Sequence, residues 1–254
     1  MKINGSAAIV TGGASGMGEA TARALAAKGA RVAVLDREQA RAAKLAAEIG
    51  GQAFGCDVAD AASIERALAE AATHHGVARI AVNCAGVGTA KRIVGKEGPM
   101  PLEEFRRVIE INLIGTFNVL RLAAAAMSTT EPLGDSGERG VIINTASIAA
   151  YDGQVGQSAY SASKGGIVSL TLPAARELAQ FGVRVLTVAP GLVDTPMMAG
   201  LPEEIQTALG ASVPFPKRLA RPDEFARLVV DLVENEYLNG EVIRFDGALR
   251  LPPR

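Results

Sequence analysis

Tyr160 and Lys164 stand four residues apart in the run Tyr-Ser-Ala-Ser-Lys, which puts a phenol and an ammonium on one face of a helix. A free phenol titrates near pH 10 and is a poor base at neutral pH. A neighbouring positive charge favours the phenolate. Lowering the pKa by roughly three units takes about 4 kcal/mol of differential stabilisation. A phenolate so formed can take the proton of a substrate hydroxyl. Ser147 precedes the pair in Thr-Ala-Ser-Ile, and its hydroxyl can hold the substrate oxygen and stabilise charge on it. Asn112, further upstream in a helical pattern, is a candidate to organise water leading to Lys164. Each residue alone has an ordinary explanation: tyrosine and lysine at helical spacing are common, and a lone helical asparagine usually faces solvent. The set carries more weight than its members.

A second cluster lies near the start. The apolar run Ala7–Thr11 leads directly into Gly12-Gly13-Ala14-Ser15-Gly16-Met17-Gly18 and then a helical pattern. Glycines there permit a tight turn and let backbone approach a pyrophosphate, while the following helix N-terminus favours negative charge. The next strand pattern ends at Asp36, whose carboxylate suits the hydroxyls of an adenosine ribose and repels a 2′-phosphate. Arg37 could pair with such a phosphate but reads as a solvated charge, so NAD is expected rather than NADP. Asp57-Val58 follows the third strand pattern, and Asp57 suits either the adenine amino group or the region of a helix N-cap. Asn83-Cys84-Ala85-Gly86 follows the fourth, and small residues there let backbone lie against a ribose. Cys84 reads as a small buried residue rather than a redox thiol. An oxidised nicotinamide would add a second positive charge beside Tyr160, so the two clusters together describe hydride transfer from an alcohol.

Both clusters need a frame. Strand patterns fall at 7–11, 31–36, 52–56, 79–83, 140–146, 183–189 and 241–245. Helical patterns lie near 16–28, 38–49, 60–74, 102–127, 158–180 and 221–234. Strict alternation, with strands such as RVAVLD apolar throughout, predicts an α/β, doubly wound parallel sheet covered on both faces. No linker or repeat divides the chain, so one domain is expected, with a cofactor half near 1–140 and a catalytic and substrate half near 141–254. Three segments break the rhythm: the loop Val87–Pro101, the polar stretch Ser128–Arg139, which reads as a solvated turn, and Pro190–Pro216 with a short helical pattern at 202–209. Pro173 falls inside a helical pattern and should bend or break it after Leu172.

Composition narrows the function classes. The chain has 254 residues, 26 Lys plus Arg, 27 Asp plus Glu, and a net charge of −1. That balance supplies no basic face for nucleic acid or an acidic membrane. Cys56 and Cys84 cannot make a four-thiolate zinc site. His74 and His75 are adjacent, point about 100° apart on a helix, and read as exposed residues rather than metal ligands. No metal is therefore expected. No apolar run reaching the length of a bilayer span is apparent, and strand-like sequence begins at Ala7, so a cytoplasmic protein is expected.

The set Thr11-Gly12-x3-Gly16-x-Gly18, Asp57, Asn83-x-Ala85-Gly86, Asn112, Ser147, Tyr160-x3-Lys164 and Pro190-Gly191 resembles the short-chain dehydrogenase/reductase family over the whole chain. The resemblance implies a single-domain Rossmann fold with seven parallel strands in the order 3-2-1-4-5-6-7, and a homotetramer. It implies that Asn112, Ser147, Tyr160 and Lys164 form a catalytic tetrad. Tyr160 and Lys164 would also touch the cofactor, and Thr195 would bond the nicotinamide carboxamide.

Four longer stretches, NLIGTFNVLRL, RGVIINTASIAAYDGQVGQSAYSASKGGIVSLTLPAAREL, SVPFPKRL and LNGEVIRFDGALR, are similar to the 3-hydroxyacyl-CoA dehydrogenase group of that family. That likeness implies NAD-dependent oxidation of an (S)-3-hydroxyacyl-CoA, including 2-methyl forms, in fatty acid metabolism. It implies that Ser15, Met17, Cys84 and Val193 line the cofactor, and that Gln154 bonds the substrate near its thioester alongside Ser147 and Tyr160. The loop Gly88–Pro101 departs from the group's pattern. Its Lys91, Arg92 and Lys96 are equally suited to CoA phosphates and to solvent. Two other functions stay open: the same chemistry on a different secondary alcohol such as a hydroxysteroid, and a non-catalytic binding or scaffold subunit.

Overall fold

Strands that are apolar on every residue can be stable only with both faces covered, and the structure meets that requirement. The computed structural model describes residues 1–200 and 202–253. Seven strands, β1 (Ala7–Thr11), β2 (Arg31–Asp36), β3 (Gln52–Gly55), β4 (Ile80–Asn83), β5 (Gly140–Thr145), β6 (Val183–Pro190) and β7 (Val242–Phe245), form one sheet. Its order is 3-2-1-4-5-6-7 and every pair is parallel. The helices are α1 (Gly16–Ala27), α2 (Gln39–Ile49), α3 (Ala61–His75), α4 (Leu102–Ser128), α5 (Ser158–Leu178), α6 (Pro196–Ala199), α7 (Glu203–Ser212) and α8 (Pro222–Glu234).

The pleat sends alternate side chains into two cores. Val10, Val34, Ile143 and Val188 face one side, where α1, α2 and α8 bring Leu25, Leu45, Phe225 and Val229. Ile9, Leu35, Ile142 and Val185 face the other, where α3, α4 and α5 bring Ile64, Val119, Met127 and Ala174. Strand order reverses between β1 and β4, so the loops beyond their carboxyl ends diverge and leave a crevice.

Several expectations need correction. Helix α4 is long and apolar enough to cross a membrane by length and composition, with a mean hydropathy of 1.4 in its most apolar window. That window is half buried, and the helix supplies Val119, Leu120 and Met127 to the core beneath the sheet. Residues Glu110–Ile114 within α4 form a π-turn, which rotates the following face and brings Asn112 inward. Helix α5 runs unbroken through Pro173. Pro173 and Ser169, whose carbonyl loses its usual partner, are both exposed, so solvent satisfies the carbonyl. His75 is half-buried rather than exposed, and burial pushes its imidazole pKa down.

The polar stretch Ser128–Arg139 is not wholly solvated. Glu138 is 5 % exposed and bonds Arg184 Nε of β6 at 2.8 Å. The loop Val87–Pro101 contains a two-stranded hairpin, Val94–Gly95 with Gly98–Pro99. Gly166 packs inward, because a Cβ there would lie 2.6 Å from Leu113 Cδ2, whereas a Cβ at Gly165 would meet nothing.

Replacing Pro173 by Ala restores a backbone donor at an exposed helical position. The expected gain is roughly 1–2 kcal/mol, the helix-interior penalty less the flexibility returned to the unfolded chain. Urea denaturation checks it: an unchanged or lower midpoint would show that α5 absorbs the proline without cost.

Candidate active site

A cleft of about 450 Å³ opens beyond the carboxyl ends of β1, β2, β4, β5 and β6. At one end the turn after β1 is drawn tight. Gly12 and Gly16 hold φ of 61° and 53°, conformations that favour glycine. A Cβ at Gly12 would lie 2.7 Å from Ala85 N, and one at Gly18 would collide with Gly12 O. Bare backbone therefore forms this wall of the cleft, at the N-terminus of α1. Asp36 caps the tip of β2, its Oδ2 accepting from Ala14 N and its Oδ1 from Glu38 N, each at 3.0 Å. Those bonds aim the carboxylate into the cleft and leave lone pairs for a ligand hydroxyl. This cradle fits the adenosine and pyrophosphate of a dinucleotide.

Further residues complete that half. Asp57 accepts from Ala59 N at 3.0 Å, while Asp60 is the N-cap of α3 and accepts from Ala62 N and Ser63 N. The side chain of Arg37 is 62 % exposed and stands 3.9 Å from Asp57 Oδ2. Ser15, Met17, Val58, Cys84, Gly86, Val193 and Thr195 all line the cleft. Thr195 Cγ2 would lie 3.2 Å from a Cβ at Gly16, so the segment after β6 closes directly on the glycine turn. Burial pushes the Cys84 thiol up to about 11, outweighing the opposing effect of Thr145 Oγ1, which donates to its sulfur at 3.7 Å, so the thiol stays neutral near pH 7.

Asn83 stands apart from the cleft lining. Its side chain is buried between strands, where Nδ2 donates to Asn144 Oδ1 at 2.9 Å and Oδ1 accepts from Thr11 Oγ1 at 3.4 Å. Thr11 Oγ1 in turn accepts from Ala85 N at 3.3 Å. Asn83 thus shapes the loop that follows β4 from behind the cleft surface.

At the other end of the cleft lie Ser147, Tyr160 and Lys164. Lys164 is 5 % exposed, and its Nζ donates to Thr145 O at 2.7 Å and sits 5.8 Å from the Tyr160 ring centroid. Burial pushes Lys164 down to about 8. The phenol was expected to be lowered by this ammonium together with an oxidised nicotinamide; among the chain's own groups alone, it is raised. Burial raises it, and a hydrogen bond with Ser147 opposes that only in part. An ammonium at this distance, directed at a carbonyl, does not offset the loss of water around the ring oxygen. Ser147 Oγ accepts from Ala149 N at 3.1 Å, so its own proton remains free to donate.

Asn112 is fully buried and engaged within the fold rather than facing solvent. Nδ2 donates to Val87 O and Ser163 Oγ, both at 3.0 Å, and Oδ1 accepts from Val87 N at 2.8 Å. Ser163 Oγ passes the contact on to Tyr160 O at 2.7 Å. Both side-chain N–H groups of Asn112 are thus committed to the fold, and Oδ1 keeps one lone pair. The side chain pins the Gly86-Val87 loop to the helix that carries Tyr160 and Lys164. Gln154 lines the cleft, but its Nε2 donates to Pro252 O at 3.1 Å.

Sequence reasoning missed Thr145, Ser163 and Leu251. Thr145 and Ser163 adjoin residues already singled out, so their neighbourhood carried a signal. Leu251 lines the cleft from the far end of the chain, and no local pattern announces it. Among the described residues, no group of three or more His, Cys, Asp or Glu could hold a metal ion.

Comparison with known proteins points the same way. A family model described as short chain dehydrogenase matches residues 6–206. A cattle protein named 3-hydroxyacyl-CoA dehydrogenase type-2 is 50 % identical, over 99 % of this chain and 97 % of its own. The crystal structure of 3-hydroxyacyl-CoA dehydrogenase type-2 from Mycobacterium avium superposes with a TM-score of 0.93 at 44 % identity, covering 98 % of each chain. A 3-ketoacyl-(acyl-carrier-protein) reductase from Brucella melitensis, solved with NADH, gives 0.86 at 29 % identity, over 98 % of this chain and 100 % of that one.

The depressed Lys164 has a consequence for stability. Between pH 8 and its ordinary value of 10.5 the unfolded chain binds more protons at this position than the native one. Its contribution to stability therefore rises with pH across that window. Urea midpoints of the parent and a Lys164→Met variant, taken at intervals from pH 7 to 10, should show the parent-minus-variant difference rising with pH. A flat or falling difference would mean that the lysine titrates normally.

Proposed function

The chain belongs to the short-chain dehydrogenase family, and on that premise we propose that it interconverts an (S)-3-hydroxyacyl-CoA and the 3-ketoacyl-CoA with NAD as hydride carrier. The observation that carries the chemistry is one cleft holding the glycine and Asp36 cradle at one end and Ser147, Tyr160 and Lys164 at the other. The acyl-CoA substrate is supported by the near-full-length likeness to enzymes named for that activity. Preference for NAD is supported by the fixed Asp36 carboxylate, which disfavours a 2′-phosphate, and by the partial pairing of Arg37 with Asp57.

The side chains divide the work. NAD, when bound, supplies the acceptor for the hydride that leaves the alcohol carbon. Ser147, with Oγ already accepting from Ala149 N, donates a hydrogen bond to the substrate oxygen and fixes its position while keeping its own proton. Tyr160 Oη takes the hydroxyl proton as the carbon–oxygen double bond forms, and returns it in the reductive direction. Its raised phenol pKa in the chain alone suits the acid role. The base role requires positive charge nearby, which the Lys164 ammonium supplies in part. Asn112 and Ser163 are positioning residues that hold the helix bearing both groups.

A homotetramer and a cytoplasmic role in fatty acid metabolism complete the reading. Association is supported by apolar side chains on the outer faces of α4 and α5: Ile114, Phe117 and Leu172 are 44, 46 and 44 % exposed. The open face at Gly165 allows close approach of another helix.

Acetoacetyl-CoA with NADH, followed by absorbance, should give rapid turnover, with NADPH giving little. NADH binding without turnover on this substrate would sink the acyl-CoA reading and move the search to other ketones. Tyr160→Phe should lower kcat/KM by about 10³-fold or more while NADH still binds. Asp36→Ala should weaken NADH by roughly tenfold or more, the loss of a charge-assisted hydrogen bond, and narrow the gap to NADPH.

A further inference from the structure

The chain beyond β7 is held in place by an unusual turn. Gly247 and Ala248 both have positive φ, 58° and 66°, and Ala248 is the sole non-glycine residue described in that region. Such a conformation persists only where its surroundings enforce it. Asp246 does so: its Oδ1 accepts from Ala248 N and its carbonyl from Leu249 N, each at 3.0 Å. Gly247 leaves no alternative, since a Cβ there would lie 2.6 Å from Val213 Cγ1.

The turn directs Leu249 and Leu251 into a small apolar cluster with Ile148, Leu192 and Val213. Ile148 directly follows Ser147, Leu192 follows the Pro190-Gly191 turn after β6, and Val213 follows α7. Leu251 lines the cleft itself. The tail therefore ties together three segments that bound the substrate half.

The loop between Ser147 and Tyr160 is fastened to the same tail at three points. Arg244 of β7 reaches Asp152 Oδ2 and Asp246 Oδ2, both at 2.7 Å, and donates to Leu249 O at 3.1 Å. Gln154 Nε2 donates to Pro252 O at 3.1 Å, and Val155 N donates to Pro253 O at 3.0 Å. Prolines have a preset φ and no N–H. Here they present a short, stiff edge of carbonyl acceptors to the loop.

From this arrangement we propose that residues 249–253 form a fixed end wall of the substrate half of the cleft, and that Leu251 is a specificity-determining residue limiting the acyl chain beyond the reacting carbon. The limit on acyl length rests on the 3-hydroxyacyl-CoA reading; the latch on the 151–157 loop does not. Leu251→Ala opens space for the chain, whereas Leu251→Trp fills it.

The test uses the full-length enzyme and 3-ketoacyl-CoA substrates of increasing length. Leu251→Ala should raise the ratio of kcat/KM for a medium-chain substrate over acetoacetyl-CoA by roughly tenfold, Leu251→Trp should lower it, and neither should alter NADH affinity. An unchanged ratio in both folded variants overturns the specificity role. In a second arm, hydrogen exchange is compared between the parent and a chain ending at Arg250. The Val155 amide should exchange faster in the truncated chain, with β1 amides unchanged; equal exchange at Val155 overturns the latch. If the parent turns over no 3-ketoacyl-CoA, the acyl-CoA reading and the acyl limit fail together, and exchange at Val155 still decides the latch.

Discussion

A buried ammonium with a single strong acceptor is the constraint on which the catalytic half depends. Lys164 lies almost out of solvent and spends one proton on the carbonyl of Thr145, the last residue of β5. Leaving that charge without partners would be costly, so the start of α5 is held to the end of β5. Tyr160, one turn earlier on the same helix, is thereby placed over the cleft. The lysine's own pKa falls because its environment favours the neutral form, and that penalty is tolerated where a positive charge is needed. An arrangement built for stability alone would put an apolar side chain there.

The other half is organised by buried polar links between strand ends. Thr11, Asn83 and Asn144, on β1, β4 and β5, form a row across the sheet at the point where strand order reverses. The row sets the spacing of the loops that leave these strands, and the glycine turn closes on Ala85 across the gap. Asn112 continues the same logic on the far side, joining the loop after β4 to α5 through Ser163. The two ends of the cleft are thus connected through backbone and amide contacts that touch no ligand. Changes at these positions would be felt as misplacement, because the reacting groups need placement to within a fraction of an ångström.

The parallel sheet and the cleft-lining glycines were legible because they rest on local rules: β-branched apolar runs, helical periodicity and glycine-rich turns. The pair Tyr160 and Lys164 was legible for the same reason, since one helix fixes its spacing. The strand order followed from the family resemblance and not from any local pattern. What escaped depended on tertiary burial. That Asn112 would be buried and bonded to Val87 and Ser163 was not legible, because the π-turn in α4 that brings it inward has no sequence signature. The phenol of Tyr160 read as acidified by Lys164 and an oxidised nicotinamide together; the desolvation those charges must offset is invisible in a sequence. Pro173 read as a bend or a break, and of the two the break is absent: exposure of Ser169 leaves the freed carbonyl to water. Glu138 sat in a stretch that looked solvated, and its partner Arg184 lies far along the chain.

That division also separates reaction type from substrate choice. The groups proposed to move a proton sit at a strand end and on one helix, where short-range sequence fixes them. The segments that line or back the opposite end of the cleft come from the turn after β5, the segment after β6, the region after α7 and the C-terminal tail. No two of these are neighbours in sequence, and each meets the others only because the sheet brings its carboxyl ends together. A fold of this kind can keep one chemistry and admit many alcohols by altering loops that share no local pattern. The identity of the substrate is therefore written in long-range contacts such as Leu251 against Ile148 and Val213, and those must be read from the folded chain.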